Sequence, residues 1–227
     1  MSASKEGKAE VVYGRRPVAE AQHGRRRVRR VWTTADLPAG ELTRLAGSPD
    51  HQGVVAEVDP YPYADPRGLL DRADGLLIAL DQVQDPRNLG AVCRSAEAAG
   101  AAGVVIPSRR AAAVTAVTAK ASAGAVEHLP VARVTNLADW LGVAKEAGAW
   151  VYGAQSGAHA PYTSADLTGK VVLVLGSEGG GLRRRVAESC DLLVSIPIRG
   201  RVKSLNVSAA AAVLLFEAAR QRAADNA

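Results

Sequence analysis

From Gly75 onward the chain alternates short apolar runs with helical stretches, and this rhythm constrains the fold more than any other feature. Leu76 to Leu80, Gly103 to Ile106, Leu129 to Val134, Trp150 to Ala154, Val171 to Leu175 and Leu192 to Ile198 read as strands. Leu89 to Ala99, Ala111 to Ala121, Leu137 to Ala147 and Leu182 to Glu188 read as helices between them, and Val207 to Arg222 as a closing helix. Continuous apolar strands are buried on both faces, and parallel neighbours need a crossover connection. The expected fold is α/β, a mostly parallel sheet covered on both sides. Ligands bind such sheets outside the carboxyl ends of the strands.

The front of the chain reads differently. Residues 1–34 carry nine Lys and Arg against three Glu, a surplus larger than the +5 of all 227 residues. A basic module on a near-neutral body points to a phosphate-backbone partner. Arg15, Arg16, Arg25, Arg26, Arg27, Arg29 and Arg30 are the candidate contacts. Residues 1–10 are small and polar and read as a flexible tail. Residues 11–58 offer two short helices and two strands, Val28 to Thr33 and Gly53 to Val58, a thin core for a separate domain. The proline-rich stretch 59–74 reads as an extended linker, and 75–227 as the main domain. No run approaches the ~18 apolar residues of a membrane span. The start has no signal-peptide core. Cys93 and Cys190 make no spacing motif, so a reduced cytoplasmic setting is expected. The four histidines are scattered and suggest no metal.

Three stretches carry chemistry, each at a strand end. In Asp81-Gln82-Val83-Gln84-Asp85-Pro86-Arg87-Asn88-Leu89-Gly90-Ala91-Val92-Cys93-Arg94, Pro86 forces a turn and Asn88 is expected to cap the next helix. Arg94 then sits in an apolar helix, where an arginine either finds a partner or lies on the solvent face. In Leu175-Gly176-Ser177-Glu178-Gly179-Gly180-Gly181-Leu182 a glycine-rich turn lets a ligand approach the backbone. It lacks the Gly-Lys-Ser/Thr of a P-loop and the Gly-x-Gly-x-x-Gly spacing of a dinucleotide site. Glu178 within it could fix a polar or cationic group such as Arg94. In Ile196-Pro197-Ile198-Arg199-Gly200-Arg201-Val202-Lys203-Ser204-Leu205-Asn206-Val207-Ser208 a basic loop runs into a helix that Ser204 or Asn206 can cap.

Together these stretches resemble the three signature motifs of the SpoU/TrmH family of RNA ribose 2′-O-methyltransferases. Tyr13-Gly14-Arg15-Arg16-Pro17-Val18 and His51-Gln52-Gly53-Val54-Val55 resemble the family's small front domain. The pairing is most like the branch that methylates a guanosine ribose in 23S rRNA. Only twenty residues separate Arg30 from His51, fewer than the family usually has, so a shortened front domain is expected. The resemblance implies a SPOUT fold whose C-terminal segment forms a deep trefoil knot, behind an L30e-like α/β substrate-binding domain. It implies S-adenosylmethionine as methyl donor, held by Gly176, Ser177, Glu178, Gly179, Ile196, Pro197 and Leu205. It implies a homodimer, with Val207 to Ala219 in the interface. It makes Arg94 essential, with Asn88, Glu178, Ser204 and Asn206 positioning it, the ribose or the loop. A free guanidinium has a pKa above ~12, so whether Arg94 takes the proton or only orients stays open. Other RNA targets remain: tRNA, or rRNA in antibiotic resistance. A non-catalytic RNA-binding assembly factor would show degenerate motifs, and these are intact.

Overall fold

A computed structural model describes residues 8–225. Most of the expected tail, residues 1–7, lies outside the described residues. Its last residue does not belong to a tail, because Glu10 opens a strand.

The front module runs β1 (Glu10–Tyr13), α1 (Arg15–His23), β2 (Val28–Thr33), α2 (Ala39–Ala46) and β3 (Val54–Val58). It forms an antiparallel sheet of order β1-β3-β2. Tyr13, Leu42 and Val55 make its own small core. Strand β1 is the element the sequence reading missed. Only four residues long, it carries no periodicity, and its partner β3 lies more than forty residues away.

The main domain continues with β4 (Leu76–Asp81), α3 (Pro86–Ala98), β5 (Gly103–Pro107), α4 (Ala116–Ala121), β6 (Val131–Val134), α5 (Leu137–Glu146), β7 (Trp150–Ala154) and β8 (Ala160–Pro161). It ends with β9 (Val171–Gly176), α6 (Arg184–Glu188), β10 (Leu192–Ser195) and α7 (Val207–Asp225). The seven strands lie in the order β6-β5-β4-β9-β7-β10-β8, all parallel. The period of two sorts their side chains. Leu76, Ile78 and Leu80 pack with α3, α4 and α7 on one face. Leu77 and Ala79 pack with α5 and α6 on the other. This is the expected two-faced α/β sheet. The expected helix from Ala111 shortens to start at Ala116. Thr115 caps it by accepting from the Thr118 amide, and the Val114 amide is spent on the Tyr63 hydroxyl at 2.9 Å.

The stretch 59–74 is not a free tether. Ala64 makes an isolated parallel β-bridge to Ala132 at the edge of the sheet. Trp140 donates its indole N–H to the Pro66 carbonyl at 3.0 Å. Tyr61, Leu69 and Leu70 are buried. The prolines read correctly as extended backbone, but the apolar residues between them dock it onto the main domain.

Candidate active site

Strand β4 ends at Asp81, level with Gly176 on β9. The loop after β4 turns through Asp85, whose carboxylate accepts from the Arg87 amide at 2.8 Å and caps α3. Pro86 takes the first helical position, where its missing N–H costs nothing. Asn88 is thus inside the first turn of α3 rather than its cap. Its side chain is released from capping, and it reaches across to the next loop.

That loop is the glycine turn. Ser177 and Gly181 pair across it, with the Gly181 amide 2.9 Å from the Ser177 carbonyl. Gly179 and Gly181 hold φ of 78° and 62°, a left-handed backbone that favours glycine. At Gly176 the constraint is steric instead. A Cβ there would stand 2.1 Å from the Gly181 backbone.

The third stretch comes down beside it. Asn206 caps α7, its Oδ1 accepting from the Ser208 amide at 2.8 Å. Its Nδ2 donates to the Asn88 Oδ1 at 3.0 Å and to the Glu178 Oε1. Asn88 donates its own Nδ2 to the same Glu178 oxygen at 2.9 Å. Glu178 is therefore held by two amides, one from each flanking motif, and not by Arg94. An amide placed at 88 and another at 206 close a triangle on one carboxylate oxygen, which fixes the height of the glycine turn between two helix starts.

A cavity of about 550 Å³ opens against this triangle. Ala154, Leu175, Val194, Ile196 and Leu205 supply apolar walls, and the 176–181 backbone supplies polar groups. Of the residues expected to hold a cofactor, Gly176, Ser177, Glu178, Gly179, Ile196 and Leu205 line it, and so does Ser204. Pro197 does not line it, nor do Asn88, Arg94 and Asn206. Arg94 is exposed, and its side chain has no hydrogen bond or ion pair among the described residues. Of the two places open to an arginine in so apolar a helix, it takes the solvent face: Leu89, Val92, Cys93 and Ala96 point inward, and Arg94 falls outside that stripe.

One residue pair escaped the sequence reading. Asp81 is fully buried, and its carboxylate takes the Arg183 amide and Nε, each at 2.8 Å. Arg183 precedes α6, so this bond anchors the far end of the glycine turn to the end of β4. The only sequence signal was an acidic residue closing an apolar strand.

The basic candidates of the front module divide. Arg15, Arg16 and Arg27 are exposed. Arg30 lies 5.0 Å over the Trp32 ring. Arg29 pairs with Asp59 at 2.6 Å. Arg25 bonds the Tyr61 hydroxyl and the Leu129 carbonyl, each at 2.9 Å. Arg26 is 6% exposed, held by Glu127 and Glu10. Arg25 and Arg26 therefore join the front module to the main domain, and Arg26 has no face left for a phosphate.

The model of the SpoU rRNA Methylase family matches residues 75–216, more than half of the chain. The chain belongs to the SpoU rRNA methylase family. Two relatives of this SpoU-family chain are named as uncharacterized tRNA/rRNA methyltransferases. One, from Synechocystis sp., is 39% identical over 95% of this chain and 64% of its own length. The other, from Mycobacterium sp. strain KMS, is 49% identical over 82% of this chain and 61% of its own length. The chain thus spans about three fifths of these relatives. Among solved structures, the SpoU methyltransferase AviRb of Streptomyces viridochromogenes, in complex with the cofactor AdoMet, superposes with a TM-score of 0.79 at 30% identity, covering 94% of this chain and 90% of its own. A structure titled as an RNA 2′-O ribose methyltransferase gives 0.79 at 26% identity, covering 93% and 88%. The seven-stranded parallel sheet of this SpoU-family chain is the sheet of these methyltransferases.

Proposed function

We propose that this chain transfers a methyl group from S-adenosylmethionine to the ribose 2′-hydroxyl of a guanosine in 23S rRNA. The observation that carries the reading is the triangle of Asn88, Glu178 and Asn206 beside the cavity. Three stretches, separated by 90 and 28 residues, close one hydrogen-bonded set at the carboxyl ends of parallel strands.

The cavity fits the donor. Its volume lies within the several-hundred-Å³ range of small-molecule sites. The 176–181 backbone can bond a nucleoside, and Leu175, Val194, Ile196 and Leu205 can flank its base. When bound, S-adenosylmethionine supplies an electrophilic sulfonium methyl. The chain's own residues then do the rest. Glu178 keeps the glycine turn seated, Asp81 anchors its far end through Arg183, and Asn206 and Asn88 hold the helix starts around it. The ribose oxygen must lie in line behind the methyl carbon, and fixing that alignment is the protein's main contribution. The transfer would exchange the donor's methyl carbon–sulfur bond for a carbon–oxygen bond, leaving a neutral thioether, and Arg94 would receive the hydroxyl proton or stabilise the charge.

Further features belong to the same reading. The C-terminal segment 196–206 packs against the glycine turn and against the loop after β7, where Ser156 donates to the Lys203 carbonyl at 2.9 Å. This supports the trefoil knot. Phe216 is exposed at the end of the first half of α7, which is apolar apart from Ser208, and this supports a homodimer using that helix. Residues 11–58 serve as a compact RNA-binding domain. Cys93 and Cys190 are both free thiols, in keeping with a cytoplasmic setting.

Two experiments test it. Tritiated methyl transfer to 23S, 16S and tRNA transcripts should label one guanosine ribose of 23S rRNA, visible as an alkali-resistant linkage. Label on tRNA alone overturns the substrate, and label on a base overturns the reaction. Gly176→Ala should weaken S-adenosylmethionine binding at least ~tenfold, about 1.4 kcal/mol, in calorimetric titration. Its Cβ would press on backbone that cannot retreat. Unchanged affinity would move the donor out of this cavity.

A further inference from the structure

The sequence reading places the phosphate contacts on the front module, but the structure spends part of that charge on internal bonds. Arg26 is neutralised by Glu127 and Glu10, and Arg25 and Arg29 are engaged with protein groups. The main domain shows the reverse. Residues 75–227 carry sixteen Lys and Arg against twelve Asp and Glu, and six of those cations gather at one end of the sheet.

That end is the rim formed by the loops after β4, β5, β9 and β10 and by the first turn of α3. It carries Arg87, Arg109, Arg110, Arg199, Arg201 and Lys203, all exposed and none with a side-chain hydrogen bond or ion pair among the described residues. The acids of the same loops are Asp85 and Glu178, and both are spent. Asp85 caps α3, and Glu178 is held by Asn88 and Asn206. The loop carrying Arg109 and Arg110 is tied to the loop before α3, since the Ala112 amide donates to the Val83 carbonyl at 2.8 Å. Lys203 lines the cavity itself. The uncompensated cations therefore stand on the two sides of the Asn88–Glu178–Asn206 triangle. An equal-sized surplus scattered over the surface would only solubilise the chain. Gathered on the side where ligands enter a parallel sheet, it makes a local positive field.

We infer that this rim is a second RNA surface, which grips the phosphates flanking the target ribose independently of the front module. The inference rests on the RNA-methylation reading above. Arg109 and Arg110 form one half of the track, on the β5 side. Arg199, Arg201 and Lys203 form the other half, beside the cavity. The partner is an RNA strand, because the site between the halves is a ribose site and the rim offers cations but no aromatic side chain for stacking bases. Its contribution is affinity and register rather than sequence choice.

The test uses the full chain and an in vitro 23S rRNA transcript, with binding measured across a series of potassium chloride concentrations. Arg109→Gln with Arg110→Gln should flatten the slope of log affinity against log salt by about 1.4 to 1.8, two phosphate contacts at ~0.7 to 0.9 each. Their far-ultraviolet circular dichroism and S-adenosylmethionine affinity should match the parent, which excludes a folding defect. A separate variant, Arg15→Gln with Arg16→Gln and Arg27→Gln, should flatten the slope by its own amount. Combining the two sets should add the losses, as expected of distant sites. If the 109/110 pair leaves the slope of a chain that binds RNA unchanged, the rim surface is wrong and the methylation reading stands. If the parent chain shows no salt-dependent RNA binding and transfers no methyl to any transcript, both fall together.

Discussion

Arg94→Ala should lower methyl transfer by roughly 10²–10⁴-fold, the span that a positioned acid–base group supplies, while S-adenosylmethionine affinity stays nearly unchanged. The geometry separates the two quantities. Arg94 does not line the cavity, so its loss removes nothing from the donor's contacts. It also stands clear of the residues expected to orient it. Six residues along a helix are a rise of ~9 Å and a rotation of ~600°, so Asn88 and Arg94 point about 120° apart. Asn88 spends both ends of its amide on Glu178 and Asn206. No group among the described residues orders the Arg94 side chain, so under the proposed reading the bound RNA does. Single-turnover methylation and donor titration on the same variant decide the matter. A parallel loss of donor affinity would make Arg94 a binding residue. Arg94→Lys separates its two possible tasks. A point charge should recover part of the rate if Arg94 only balances charge. It should recover almost none if the planar guanidinium must meet two atoms at once.

The parts legible in the sequence were those written in local pattern. The α/β alternation after Gly75 and the strands of the main sheet follow from apolar runs a few residues long. The three motif stretches were legible because each carries a strand end, a turn former and polar residues within some fifteen positions. What was not legible was pairing. Glu178 could be matched with Arg94 on charge alone, yet two neutral amides hold it, because the helix starts bring Asn88 and Asn206 to the turn and carry Arg94 past it. Asp81 gave no hint of Arg183, a hundred residues on. Asn88 looked like a cap because Asn caps well, but Asp85 stands one residue before the proline that opens the helix, and the first position able to cap prevails. The run of seven front arginines was likewise read as one surface. Burial divides it, and nothing in a row of arginines says which one will face a glutamate at 127.

That division carries the second large effect. Arg26 donates its Nε to Glu127 at 2.9 Å, bonds the other Glu127 oxygen through Nη2, and reaches Glu10 with Nη1 at 3.1 Å. Glu127 is 1% exposed. The guanidinium also lies 5.5 Å over the Tyr61 ring, whose hydroxyl burial pushes well above the usual phenol range. Front module, docked stretch and main domain thus meet at one charged group with every bond made. Arg26→Met alone leaves the Glu127 carboxylate buried without its cation and should cost about 3–5 kcal/mol, read as a shift of the urea midpoint, whereas Glu127→Gln leaves Arg26 its partly exposed partner Glu10 and should cost less. The pair replaced together, Arg26→Met with Glu127→Leu, removes both charges and should cost clearly less than Arg26→Met alone, because a buried ion pair is worth little against an apolar pair of similar size. Arg26→Met within about 1 kcal/mol of the parent would mean that water reaches the pair. The distinction bears on function. If the double variant is stable and still binds RNA on its remaining front arginines, Arg26 serves only to join the two modules, and the phosphate affinity of the front module rests on Arg15, Arg16 and Arg27.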